Sequence, residues 1–326
     1  MHVADALISP TVAVTAGLVS GAIYIVAARK IKKETVSENI VPLMGVMGAF
    51  IFAAQMINFT IPGTGSSGHI VGGILLCVVL GPWAAFITLS SVLVVQCLLF
   101  ADGGLMALGC NIFNMGFWTC LVAYPLLYNK LIHYPASTGR ILWVSVLTCV
   151  VGLFLGAVSV TVETEASGIT ALPIGKFLLF MIPIHLLIGV GEGIATAVVV
   201  GFIQKYRPDL LLPNQEFMAE KKKPKSGKVL VVVAVVALIL GASFSWIASS
   251  YPDGLEWSIS KMLNGNELEN GTSQLHTLTQ NVVESTALIP DYNLTISGIV
   301  GVLLMVLVTW GVTGLIHFRK AVAKKG

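Results

Sequence analysis

The chain has 326 residues, of which 56% are apolar and 11% charged, where a typical soluble domain carries roughly 25% charged residues. That balance excludes a soluble fold, and the net charge of +3 is too weak to identify a partner, so no nucleic-acid partner is expected. Several apolar runs approach or exceed the ~20 residues that cross a lipid bilayer as a helix. The expected fold class is therefore an all-α polytopic membrane protein. Cys77, Cys97, Cys110, Cys120 and Cys149 all fall in apolar stretches without a CxxC pair, and read as free buried thiols.

In chain order, the first span is predicted over residues 11–28 and stops at Arg29-Lys30-Ile31-Lys32-Lys33. Basic clusters sit on the cytoplasmic side, which puts the amino terminus outside the cell. The n-region lacks positive charge, so a cleavable signal peptide is not expected. A second span, 41–59, returns outward and opens into Pro62-Gly63-Thr64-Gly65-Ser66-Ser67-Gly68-His69. This stretch is too rich in Gly and Ser for lipid-exposed helix, so it should line a protected cavity. Two apolar segments follow, 70–80 and 83–100, split by Gly81-Pro82 and suited to a helical hairpin. Further spans are predicted over 107–128, 141–162 and 174–204.

The expected division is a metal-binding seven-helix bundle over 1–205, a basic cytoplasmic linker over 206–228, and a two-helix unit over 229–326. In the last unit, spans 229–249 and 294–318 flank an extracytoplasmic loop, 251–292. Nine spans starting outside put every basic cluster in the cytoplasm and most acids outside. The location that follows is the cell (inner) membrane, with the carboxyl terminus cytoplasmic.

The chemistry begins at the amino terminus. A free amine followed by histidine offers three nitrogens to a metal: the Met1 α-amine, the deprotonated His2 amide and the His2 Nδ1. They close adjacent five- and six-membered chelate rings in nearly one plane. A further imidazole, His69, maps to the same side and could complete the square. Square-planar nitrogen sites suit Ni(II) and Cu(II). Binding must expel protons, so affinity is expected to fall steeply below about pH 6.

Asn58, Asn111, His185 and Glu192 are candidate supporting residues, able to orient His69 or its loop. His185 and Glu192 lie two turns apart on one helix face, and ionisable groups inside a membrane are functional candidates. They read first as interhelical hydrogen bonds. An alternative function is a metal-dependent intramembrane enzyme using both. Asp102 in Phe100-Ala101-Asp102-Gly103-Gly104 reads first as a turn residue near an outer helix end and second as a metal-access residue, and His133, His276 and His317 read as background. No Walker A sequence and no HExxH occurs, so the chain is not expected to hydrolyse ATP by a P-loop or to be a zinc protease of that type.

Several motifs occur in order: Met1-His2, Gly63-Thr64-Gly65-Ser66-Ser67-Gly68-His69, Phe100-Ala101-Asp102-Gly103-Gly104-Leu105, Gly109-Cys110-Asn111-Ile112-Phe113-Asn114-Met115-Gly116 and Gly189-Val190-Gly191-Glu192-Gly193. Together they resemble the nickel/cobalt-binding M component of energy-coupling-factor (ECF-type) ABC transporters. The tail, with Pro252-Asp253-Gly254-Leu255-Glu256, resembles the N component of the same systems. The resemblance implies a substrate-capturing subunit of a nickel, or cobalt, uptake transporter and not an enzyme. Its implied metal ligands are the Met1 amine, His2 and His69. Its implied partners are a transmembrane coupling subunit and cytoplasmic ATPase subunits that hydrolyse the ATP. Ni(II) is the expected substrate, with Co(II) the second candidate, because a strict four-nitrogen plane favours nickel.

Overall fold

Helix occupies each of the seven apolar segments expected before residue 206. The structure is a computed structural model and describes residues 2–33, 40–170, 172–211, 235, 248–263, 271, 273–289 and 297–307. After a 3-10 turn at Asp5–Leu7 come α1 (Pro10–Lys33), α2 (Ile40–Gln55), α3 (Gly73–Leu80), α4 (Pro82–Phe100), α5 (Leu108–Leu131), α6 (Thr138–Ser167) and α7 (Ile174–Tyr206). Among the described residues, α1, α4, α5, α6 and α7 are long and apolar enough to cross a membrane. With its eight residues, α3 is about 12 Å long, too short to cross alone. Gly81, in a left-handed conformation with φ +83°, and Pro82 at the first turn fold it back onto α4.

Where the second span was expected to run to Phe59, α2 ends at Gln55. Strand β1 (Asn58–Ile61) then pairs antiparallel with β2 (Ser66–His69), with Asn58 opposite His69. The cause is local. Phe59, Thr60 and Ile61 suit a pleated strand. Between the strands, Gly63 (φ +77°) and Gly65 (φ +72°) supply the left-handed residues of the turn. The hairpin also pairs backbone groups that an open loop would leave unsatisfied near the membrane.

The stretch expected as an outer loop, 251–292, holds two helices, α8 (Gly254–Met262) and α9 (Gln274–Thr286). Asp253 caps α8 in a full capping box with Glu256, and Ser273 caps α9. Beyond them, α10 (Ser297–Leu307) packs Val302 and Met305 against Phe52, Val92 and Phe100 of α2 and α4. The expected span 229–249 and the linker lie outside the described residues, apart from residues 206–211, 235, 248 and 249. All five cysteines are buried and unpaired.

Candidate metal centre

The amino-terminal segment is apolar enough to be pulled into the bundle. Val3, Leu7 and Ile8 are fully buried, a gain of about 1.5–3 kcal/mol each over leaving them in water. Polar contacts fix its register. Asn111 on α5 accepts from Val3 N at 2.7 Å through Oδ1 and donates to Val3 O at 3.2 Å through Nδ2. Gly104 N also donates to Val3 O (3.1 Å), and the Asp5 carboxylate accepts from Ala107 N (2.9 Å). On the other side, His276 Nε2 lies 3.1 Å from Asp5 O and Thr279 donates to Asp5 Oδ2 at 3.3 Å. Burial pushes the Asp5 carboxyl above its usual range, and the Ala107 and Thr279 hydrogen bonds oppose the shift. His276, read from sequence as background, is thus a clamp on the terminus.

This clamping brings His2 onto His69. The two imidazoles stack with centroids 5.2 Å apart and planes within 19° of parallel. Each ring faces a carboxylate. His2 Nδ1 is 2.8 Å from Asp102 Oδ1, and His69 Nε2 is 3.9 Å from Asp253 Oδ2. His2 Nε2 is buried with no hydrogen-bond partner among the described residues. Burial above all holds the His69 imidazole down at about 3. It is therefore a neutral donor at physiological pH. Met1 lies outside the described residues. Among the described residues, no three His, Cys, Asp or Glu side chains are arranged to hold a metal ion. A metal here needs donors besides side chains.

The four supporting candidates divide. Asn58 sits opposite His69 in the hairpin ladder, and its carbonyl accepts from Ser249 N at 2.7 Å. Asn111 holds Val3, the residue after His2. Glu192, fully buried on α7, accepts from Val71 N (2.9 Å) and Gly72 N (3.0 Å), the chain just beyond His69. His185 bonds back along its own helix, with Nδ1 2.8 Å from Met181 O, and shares a narrow crevice with Gly68, His69 and Gly254. Both Glu192 oxygens accept from backbone N–H groups, which ties the chain just beyond His69 to α7. Glu192→Gln leaves one of those N–H groups facing an amide NH2. We expect a loss of about 1–3 kcal/mol, measured as a lower thermal midpoint in detergent. An unchanged midpoint would contradict this role.

Two glycines show how tightly the hairpin is seated. A Cβ on Gly68 would stand 2.5 Å from Ile188 Cγ1, and one on Gly254 2.9 Å from Ile188 Cδ1. Hairpin and α8 thus approach the same residue of α7. The PDGLE motif completes the seat. Ser67 N donates to Pro252 O at 2.8 Å, Ser67 bridges Asp253 in parallel, and Trp257 Nε1 donates to Thr64 O at 3.0 Å. Sequence reading missed Asp102 and Asp253 as neighbours of the histidines. The αL residue Ala101 that ends α4 turns Asp102 towards His2, and no spacing signal announces it. For Asp253 the capping-box pattern was legible, but the tertiary contact was not.

Comparison with known proteins fits this geometry. Residues 2–210 match the family described as "Cobalt uptake substrate-specific transmembrane region", and residues 227–318 match the PDGLE domain. The chain is similar to a fused nickel transport protein of Archaeoglobus fulgidus, 31% identical over 85% of this chain and 87% of that one. It is also similar to a fused nickel transport protein of Lactiplantibacillus plantarum, 32% identical over 64% of this chain and 66% of that one. A cobalt transport protein of Sorangium cellulosum is 29% identical over 52% of this chain and 76% of its own. Two solved structures of transition metal transporters, one truncated, align with TM-scores of 0.55 and 0.57 at 31% and 30% identity. They cover 63% and 68% of this chain and 99% and 100% of their own. These relatives are transport proteins, and the chain is an integral membrane transport component, not an enzyme. With its match spanning 2–210, the chain belongs to the family of cobalt-uptake substrate-specific transmembrane proteins, joined to a PDGLE domain.

Proposed function

We propose that the chain captures Ni(II), with Co(II) the second candidate, on the outer side of the cell membrane as the substrate-binding subunit of an energy-coupling-factor uptake transporter. The donors are the Met1 amine, the His2 amide and imidazole Nδ1, and the His69 imidazole. The observation that carries this reading is the stacking of His2 on His69 at 5.2 Å, at the end of a clamped amino-terminal segment. Two residues distant in sequence meet there, one of them next to the terminal amine. Asp102 holds the same Nδ1 that the chelate needs, so metal binding displaces that carboxylate. The amide N–H of His2 ionises only with metal assistance.

Sidedness rests on charge. Asp5, Asp102, Asp253 and Glu256 gather at the end of the bundle where the terminus sits, while Arg29, Lys30, Lys130 and Lys205 lie at the other ends of their helices. By the positive-inside rule the site faces outward and the carboxyl terminus is cytoplasmic. Acids at the outer mouth attract divalent cations over about 8 Å at physiological salt. Inward release then needs a rearrangement driven by partner subunits, a transmembrane coupling protein and ATPases. We also assign residues 1–205 to the metal-binding unit, 206–228 to a cytoplasmic linker and 229–326 to the PDGLE unit. The test is nickel bound per chain in the detergent-purified full-length protein, wild type beside His69→Ala. One ion lost on substitution supports the reading, and equal binding in both refutes it.

A further inference from the structure

Helix α9 presents three kinds of side chain. His276 and Thr279 turn towards Asp5, and Thr286 turns towards α4, donating to Leu98 O at 2.7 Å. Thr277, Asn281 and Glu284 stand exposed on the far side. On the flank between lie Leu278 and Val282, one turn apart and 57% and 44% exposed. Just past the helix, Leu288 is 62% exposed, while its neighbour Ile289 packs into the cluster around Phe52 and Phe100. The clamp on the amino terminus uses none of the three exposed apolar side chains.

Depth identifies what they meet. Lys30 on α1 lies 5.9 Å over the Trp83 ring at the start of α4, and tryptophan with a basic residue marks one edge of the bilayer. From there α4 runs 19 residues to Phe100, about 28 Å, nearly the ~30 Å thickness of the hydrocarbon core. Along α1, Pro10 stands about 30 Å from Lys30. The far ends of both helices therefore reach the opposite edge of the hydrocarbon, and α9 is tied to both. Its first turn holds Asp5, just ahead of α1, through His276. At its other end Thr286 and Leu288 N bond to Leu98 O and Leu99 O (2.7 and 2.9 Å), in the last turn of α4. With 13 residues, α9 is about 20 Å long and lies along the membrane surface instead of rising from it.

We infer that α9 is a membrane-interface helix, with Leu278, Val282 and Leu288 seated against lipid at the headgroup–acyl boundary, so that the bilayer helps to hold the clamp on the amino-terminal segment. A helix lying in the interface plane buries its apolar flank at this depth and keeps its polar face in water. No Lys or Arg occurs in α9, so the seat is apolar and needs no anionic headgroup. His276 and Thr279 belong to the same helix, which couples the seat to Asp5. The inference holds for either metal and for either orientation of the chain in the membrane.

The experiment uses the full chain in phosphatidylcholine vesicles. Leu278→Cys, Val282→Cys and Leu288→Cys, with Thr277→Cys and Asn281→Cys from the polar face, each carry an NBD fluorophore. The five native cysteines are buried, and the unsubstituted chain is the labelling blank. A lipid with a nitroxide near its headgroup is expected to quench the first three labels at least about 3-fold more than the polar pair, and aqueous iodide to do the reverse. Iodide quenching of all five alike, without quenching by lipid, would overturn the inference. Labels at 278 and 282 shielded from both quenchers would overturn it too, since a second copy or another protein would then cover the flank. The coupling is read from amide exchange of residues 3–8, where the N–H groups of Val3, Leu7 and Ile8 are hydrogen-bonded. In the bilayer, Leu278→Glu/Val282→Glu is expected to speed this exchange about 10-fold, with α6 unchanged. An unchanged rate at residues 3–8 would overturn the coupling, and so would faster exchange throughout the chain, because unfolding would then explain it.

Discussion

His69→Ala and His2→Ala are each expected to weaken nickel binding by more than the roughly 100-fold that loss of a supporting partner costs a metal site. Neither substitution should unfold the protein. His69 ends a strand whose register is set by four backbone pairs and whose following residues are held by Glu192. His2 precedes a segment fixed by Asn111, Ala107 and the buried Val3, Leu7 and Ile8. The side chains removed make stacking and carboxylate contacts, not core. Calorimetric titration of the purified variants, with thermal midpoints measured beside them, separates loss of a donor from loss of the fold. Binding within tenfold of wild type in either variant, at an unchanged midpoint, would remove that histidine from the ligand set.

The second large effect is on pH. Nickel affinity is expected to fall by about 100-fold or more between pH 7 and pH 6. An α-amine with an ordinary value of about 8 is protonated at both, so binding releases its proton. The His2 amide releases another. Each proton released costs tenfold in affinity per unit of falling pH. His69 adds nothing across this interval, because its ring is already neutral down to about 3. The sign is therefore weaker binding at lower pH. A fall of tenfold or less would mean that the amine or the amide is not a ligand.

How much of this was legible beforehand varies with the kind of signal. The helices follow from apolar runs and from breakers such as Gly81-Pro82, and their ends are nearly those expected. The β-hairpin was not legible, since Ser66-Ser67-Gly68-His69 has no strand composition. It is a strand because Asn58–Ile61 pairs with it and α7 presses Ile188 against Gly68. The meeting of His2 and His69 was anticipated from chelate chemistry and sidedness, which are sequence properties. Asp102 looked like turn punctuation because its local role is one. That the same residue reaches His2 depends on how α4 ends over the terminus. His276 and Asp253 come from the distal part of the chain, and only tertiary packing brings them to the first residues. Glu192 was read as a hydrogen-bonding group and is one, though its partners are backbone amides after His69 instead of another helix's side chain.

In the proposed site the chain's own amino terminus is a ligand. This ligation is tested most directly by adding two alanines before Met1, which leaves every side chain in place, moves the amine, and avoids the amine, two-amide and imidazole chelate that a histidine at position three would form. Nickel per chain, measured on the purified full-length protein, is expected to drop from one to near zero. If the lengthened protein kept its full nickel content, terminal-amine ligation would be wrong and the site would have to be built from side chains alone.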